Sequence, residues 1–112
     1  MVSAKAVLVR LAMVAVLVAG VGILSTTASA DDAATFKAKC AMCHGGDGKG
    51  SAVGQKMGVH DFTSADVQKM SDAELTDVIT KGKNKMPAYA GKLQESDIKG
   101  LVAYIRQLGK GK

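Results

Sequence analysis

The stretch Cys40-Ala41-Met42-Cys43-His44 decides the fold and the chemistry of this chain. Two thiols three positions apart lie on one side of a helical turn, and a histidine follows them directly. The chain contains no other cysteine. This segment therefore offers two thiols and one imidazole to a single bound group.

A Cys-X-X-Cys-His run is the attachment signature of a c-type haem. Cys40 and Cys43 would bond covalently to the two vinyl groups of one porphyrin, and His44 would be the proximal ligand of its iron. A zinc site of this type needs a second pair of ligands, which the two cysteines alone do not supply. A redox-active dithiol needs no adjacent histidine and usually lies in a strand-helix pattern that is absent here. We therefore predict one haem c per chain.

Residues 1–30 have the layout of a secretory signal peptide. Lys5 and Arg10 are its positive part, Leu11–Leu24 is an uncharged apolar run of 14 residues, and residues 28–30 (Ala-Ser-Ala) form a cleavage site. An uncleaved membrane anchor is the alternative, but a membrane span takes about 20 apolar residues. We expect cleavage to release one domain, residues 31–112, as a soluble periplasmic protein that meets the membrane only before cleavage.

The expected mature chain is small and mildly basic. Its 82 residues carry 13 Lys and Arg against 10 Asp and Glu, a net charge of +3. This balance favours docking to an acidic partner surface and is too weak to indicate a nucleic-acid partner. A domain of this size buries only a modest core. It has no tryptophan and four aromatic residues, Phe36, Phe62, Tyr89 and Tyr104. A covalently held haem would supply the missing core, whereas a disulfide between two cysteines so close together would add little stability. We expect a monomer.

Helical periodicity predicts an all-α domain of about four helices packed around the haem. The predicted helices cover residues 33–43, 63–70, 71–81 and 95–108. Thr63 is the expected cap of the second helix, a Ser71/Glu74 capping box begins the third, and Gln94 or Ser96 caps the fourth. Helix ends are expected at two glycines, Gly82 and Gly109. The glycine-rich segment 45–50 lacks the pattern of a phosphate-binding loop and is expected to be a flexible turn near the haem.

The second axial ligand of the iron has several candidates. Met86 precedes Pro87, the only proline, in a loop at residues 82–89 that we expect to be extended. Proline biases the preceding residue away from helix, which would hold a ligand side chain at a set angle. His60 is the main rival, because imidazole also binds iron. The other methionines of the expected mature chain are weaker candidates by position: Met42, Met57 and Met70. We predict Met86, because Met/His ligation is common in such haem proteins.

Residues 31–112 resemble a small bacterial class I c-type cytochrome over nearly their whole length. Three segments match the family pattern in order. They are the attachment motif with the glycine-rich segment that follows it, the segment Lys85-Met86-Pro87-Ala88, and the closing run Leu101–Ile105. The resemblance implies a cytochrome c-like fold whose first and last helices cross near the haem. It places Phe36, Leu101 and Tyr104 at that crossing. It also implies a haem bound through Cys40 and Cys43, with His44 and Met86 as axial ligands.

One position departs from the family pattern. Many members carry a proline after the attachment motif, and its carbonyl holds the ring of the proximal histidine. Here the sole proline follows Met86 instead, so we expect another backbone carbonyl to accept a hydrogen bond from His44.

The predicted ligands indicate electron transfer. Iron with both axial positions filled has no open site for a substrate, so we expect a one-electron carrier and no enzyme. Two alternatives stay open: a haem enzyme or gas-binding sensor whose Met86 is displaced, and a module whose haem only stabilises the fold. A membrane oxidase, a reductase or a dehydrogenase with an acidic surface is the expected redox partner. Four lysines around the Met86 loop either face that partner or form an ordinary solvated charge run: Lys81, Lys83, Lys85 and Lys92.

Overall fold

The computed structural model describes residues 27–110, and helices make up nearly all of the regular structure in that range. The order is α1 Ala30–Lys39, α2 Ala41–His44, α3 Ala52–Lys56, α4 Ala65–Gln68, α5 Asp72–Lys81 and α6 Glu95–Lys110. Extended pairing within the described range is limited to two isolated bridges, Lys83 with Met86 and Ala90 with Leu93. The all-α prediction is confirmed, with two more helical segments than the four predicted.

The first helix begins earlier than predicted. Ser29 caps α1 and Asp32 returns the hydrogen bond, so a capping box starts the helix at Ala30 instead of residue 33. The capping residue Ser29 is part of the predicted cleavage site at residues 28–30. The charged and apolar parts of the predicted signal peptide fall in residues 1–26, outside the described residues. From residue 27 to residue 110, no helix is long and apolar enough to cross a membrane.

The predicted helix 33–43 is divided at the first cysteine of the motif. Cys40 ends α1 and precedes α2, with φ −120° and ψ −34°. The short helix α3, which was not predicted, packs against α2. Their contact is close because Gly54 has no side chain: a Cβ there would overlap the carbonyl of Cys43. A five-residue helix with an interior glycine has little helical propensity of its own, so the sequence alone did not indicate it.

Two of the three later helices begin where the sequence indicated. The Ser71/Glu74 capping box of α5 is confirmed, and α5 ends before Gly82, whose φ is +75°. At the start of α6 the backbone N–H of Gln94 donates to the Asp97 carboxylate at 3.0 Å, which makes Gln94 the cap. The cap of α4 was misassigned. Ser64 caps α4, while both the backbone N–H and the hydroxyl of its neighbour Thr63 bind Asp61 at 2.7 Å.

Gly109 does not end α6, which continues to Lys110. Its lack of a side chain serves packing instead, because a Cβ at Gly109 would overlap the side-chain amide of Gln68.

The core lies where α1 crosses α6, and it extends to α4 and α5. Phe36 of α1 packs against Tyr104 of α6 with 5.0 Å between ring centroids, and Leu101 beside them is 1 % exposed. Gly100 leaves room for the Asp32 carboxylate beside α6, since a Cβ there would overlap it. The predicted crossing of the first and last helices is therefore confirmed. The buried hydrophobic residues are Phe36, Phe62, Val67, Leu75, Ile79, Ile98, Leu101, Val102 and Ile105.

Candidate functional site

A cavity of about 240 Å³ lies beside the core and has a mostly apolar lining. Helices α4 to α6 and the α4–α5 junction supply much of its wall through Val67, Met70, Leu75, Val78, Ile79 and Ile105. The attachment motif contributes Cys40, Cys43 and His44, and the loop after α5 contributes Met86. The structure thus brings the attachment motif and Met86 to one cavity, although Met86 lies far from the motif in the sequence.

Backbone N–H groups at the end of the glycine-rich segment donate hydrogen bonds to the carbonyls of the attachment motif. The N–H of Gly50 donates to the His44 carbonyl at 2.7 Å, and the N–H of Ser51 donates to the Cys43 carbonyl at 3.0 Å. The Ser51 hydroxyl donates to the Met42 carbonyl at 2.6 Å and also caps α3. The expected turn at residues 45–50 is present, and these bonds fasten it to the motif.

Both motif thiols are free and half-buried at the cavity. Burial, together with a smaller contribution from the neighbouring Cys43, raises the pKa of the Cys40 thiol to about 11. The Cys40 thiol is therefore protonated at neutral pH in the chain without a bound group.

The His44 imidazole is held by an aromatic ring. It stacks on Phe62 with 4.6 Å between ring centroids and 25° between ring planes. Its Nδ1 is buried and has no hydrogen-bond partner among residues 27–110, so the backbone carbonyl expected from the sequence is not found there. Burial lowers the pKa of His44, which favours the neutral imidazole that binds metals. A neutral imidazole beside two thiols in an apolar cavity fits an iron porphyrin.

The loop that carries Met86 begins with a tight turn instead of the extended course predicted for residues 82–89. Lys83 and Met86 exchange backbone hydrogen bonds of 3.1 and 2.9 Å, and Asn84 between them has φ +54°. Gly82 approaches the turn so closely that a Cβ would lie 2.6 Å from the Met86 carbonyl oxygen. Met86 itself is half-buried and packs against the core.

The far end of this loop is anchored by Tyr89. Its backbone N–H donates to the Ile79 carbonyl at 3.0 Å, and its hydroxyl donates to the Lys39 carbonyl at 3.1 Å. Burial raises the pKa of the Tyr89 phenol, so this hydroxyl stays protonated as a donor. No local sequence pattern marks this role of Tyr89, because its partner Lys39 lies 50 positions earlier.

The rival ligands occupy the same cavity, with one exception. His60, Met57 and Met70 line it, whereas Met42 is 81 % exposed and lies outside the lining. Of the methionines in the lining, Met70 and Met86 pack against the core, while Met57 is 37 % exposed. His60 is exposed at the cavity edge. Met86 as the second ligand stays a prediction.

Three lysines reach the cavity, and only two of them were among the four expected. Lys83 and Lys85 line it together with Lys39, which the sequence analysis missed although it directly precedes Cys40. Lys81 pairs with Asp77 at 2.7 Å. The ammonium group of Lys92 lies 6.0 Å from the centre of the Tyr89 ring.

Comparisons with known proteins agree with this geometry. The family model described as "Cytochrome C oxidase, cbb3-type, subunit III" matches residues 28–105. Cytochrome c6 of Anabaena variabilis is 39 % identical over 85 residues, which cover 73 % of this chain and 91 % of that protein. Among solved structures, the KustC0563 c-type cytochrome is similar with a TM-score of 0.66 and 29 % identity, over 69 % of this chain and 95 % of that chain.

A second group of relatives is much longer than this chain. The cbb3-type cytochrome c oxidase subunit FixP of Bradyrhizobium diazoefficiens is 39 % identical over 79 residues, which cover 69 % of this chain and 26 % of the subunit. The matched segment therefore spans about a quarter of that relative.

Proposed function

The chain belongs to the family of small c-type cytochromes, which bind haem c, and we propose that it is a one-electron carrier between redox proteins. The observation that supports this most is the apolar cavity shared by the attachment motif and Met86. The bound haem would supply an iron that gains and loses one electron.

The residues of the attachment motif and Met86 have proposed parts at the cavity. Cys40 and Cys43 would hold the haem through thioether bonds, and His44 and Met86 would ligate its iron. Phe62 fixes the plane of the His44 ring. The apolar wall excludes water and, together with a soft sulfur ligand, favours the ferrous state and raises the reduction potential.

Filled axial positions distinguish a carrier from a haem enzyme or a gas-binding sensor. The optical spectrum of the ferrous holoprotein should not change when carbon monoxide is added near neutral pH. A rapid spectral change would support a displaceable Met86 and contradict the carrier proposal.

The ligand assignment is tested by two matched variants. Met86→Ala should keep the covalent haem, lower the reduction potential and admit carbon monoxide, because it opens a coordination position. His60→Ala, at the edge of the same cavity, should change none of these. If the His60 variant loses the low-spin spectrum while the Met86 variant keeps it, the assignment is reversed.

We further propose that the carrier is exported and works in the periplasm as residues 31–112. The layout of residues 1–30 supports this. Mass spectrometry of the periplasmic fraction should find a chain that begins at Asp31 and carries one haem. Recovery of the full chain in the membrane fraction would favour an uncleaved anchor.

A further inference from the structure

The loop that carries Met86 is joined to the attachment segment through one side chain. The Tyr89 hydroxyl donates to the Lys39 carbonyl at 3.1 Å, across 50 positions of the sequence. Lys39 is the last residue of α1, and Cys40 of the attachment motif follows it. This hydrogen bond therefore connects the two parts of the chain that bring His44 and Met86 to one cavity.

The other anchors of this loop lead to α5 only. Gly82 donates to the Val78 carbonyl at 2.8 Å, Tyr89 to Ile79 at 3.0 Å and Ala90 to Thr80 at 3.0 Å. These bonds fix the loop to the end of α5, and the tight turn at residues 83–86 fixes its local shape. Among the described hydrogen bonds of residues 82–90, the Tyr89 hydroxyl makes the one that reaches α1.

The Tyr89 ring is placed so that this bond is held in position. The ring lines the cavity and packs against the core. The ammonium group of Lys92 lies 6.0 Å from the ring centre, and the Lys92 N–H donates to the Tyr89 carbonyl at 3.0 Å. A ring held by packing and backbone bonds loses little further freedom when its hydroxyl binds Lys39.

We propose that Tyr89 is a positioning residue that holds the Met86 loop against the attachment segment and thereby sets how readily Met86 leaves the iron. The proposal rests on the proposed function, in which Met86 is the second axial ligand. When the loop separates from α1 and carries Met86 away from His44, the Tyr89–Lys39 bond breaks. The bond therefore lowers the population of the state in which Met86 is detached.

The test is a titration of the ferric holoprotein with imidazole, which competes with Met86 for the iron. The loss of the sulfur-to-iron charge-transfer band reports the displacement. Tyr89→Phe keeps the ring and removes the hydroxyl, so imidazole should bind about fivefold more tightly than in the wild type, the effect of one hydrogen bond. Tyr104→Phe is the matched control, because it removes a hydroxyl from the other half-buried tyrosine, at the α1–α6 crossing, and should leave the affinity unchanged.

The outcomes distinguish the role of Tyr89 from the assignment of Met86 as the second ligand. Equal imidazole affinity in the wild type and Tyr89→Phe, with the sulfur band intact, would overturn the role of Tyr89 and leave Met86 as ligand. An equal rise in both tyrosine variants would mean general loosening and would also overturn it. A wild-type holoprotein without the sulfur band would remove the ligand assignment and this proposal together.

Discussion

At the scale of single residues, the surroundings of His44 determine how the iron would be held. A ligating histidine usually donates its second ring N–H to a carboxylate or carbonyl, which raises its basicity. Within the described range the Nδ1 of His44 has no such partner, and Phe62 lies against the ring instead. A less basic imidazole stabilises ferric iron less, so its effect on the reduction potential has the same sign as that of the proposed methionine ligand.

Phe62→Leu tests whether stacking orients the ring. The change keeps the site apolar but removes part of the buried ring volume, so it should cost about 1–3 kcal/mol of unfolding free energy. It should alter the electron paramagnetic resonance spectrum of the ferric haem, because the spectrum depends on the orientation of the ligand plane. Phe36→Leu removes a comparably buried ring that does not stack on His44, so its spectrum should match the wild type. Identical spectra for all three proteins would contradict the role of Phe62.

At the scale of elements, the join between α5 and the Met86 loop depends on a glycine. Gly82 combines φ +75° with close approach to the loop backbone, since a Cβ would lie 2.6 Å from the Met86 carbonyl oxygen and 2.8 Å from the Ala88 nitrogen. Gly91 has nearly the same φ, +76°, but a Cβ there would meet nothing within 4 Å. Substitutions at the two glycines therefore distinguish the effect of backbone strain from the effect of displacing the loop.

Gly82→Ala and Gly91→Ala form a matched pair. Each should lose about 1–3 kcal/mol of unfolding free energy from strained positive-φ backbone alone, with the larger loss at Gly82, whose ψ of 169° lies in a region that is essentially restricted to glycine. Gly82→Ala should also displace Met86 and weaken the sulfur-to-iron band, whereas Gly91→Ala should keep the band. Denaturant unfolding and the ferric spectrum measure the two effects. An unchanged band in Gly82→Ala would mean that the loop reaches the iron without the close contact to α5.

At the scale of the whole molecule, the haem completes the core. Within residues 27–110, nine buried hydrophobic residues form the core, and an apolar cavity lies beside it. A small domain with an open apolar cavity has a low free energy of unfolding without the group that fills the cavity.

Removing both attachment cysteines should therefore unfold most of the chain. Cys40→Ala combined with Cys43→Ala should lose haem staining after denaturing electrophoresis and most of its helical circular dichroism. Met42→Ala lies in the same motif but is 81 % exposed, so it should keep both signals. A double variant that retains haem through the gel would contradict covalent attachment at these residues.

The positive charge of the lysines at the cavity indicates electrostatic docking to an acidic redox partner. Electron transfer to an acidic partner should be fast at low salt and slow down steeply as ionic strength rises. Charge reversal at Lys83 and Lys85 should slow the encounter and leave the reduction potential nearly unchanged, because solvent screens exposed charges. Lys99→Glu, on α6 and outside the cavity lining, is the control. If the stopped-flow rates change neither with ionic strength nor with the lysine substitutions, docking occurs through apolar contacts alone.

Features that depend on neighbouring residues were predictable from the sequence. The attachment motif, the capping box at Ser71 and the helical periodicity of α6 were recognised because a few nearby positions specify each of them. Short or weakly helical segments were harder. Helix α3 was missed, and Gly109 was mistaken for a helix end, because packing at these glycines outweighs their local propensity.

The contacts between distant groups could be read only from the folded molecule. Phe62 stacks on His44, Tyr89 binds Lys39, and Lys39 lines the same cavity as Lys83 and Lys85, although these residues lie 18 to 50 positions apart. Local periodicity shows which face of a helix is apolar but not which partner covers it. The partner is set by the crossing of α1 and α6 and by the glycines that let backbones approach, and these contacts exist only once the chain has folded.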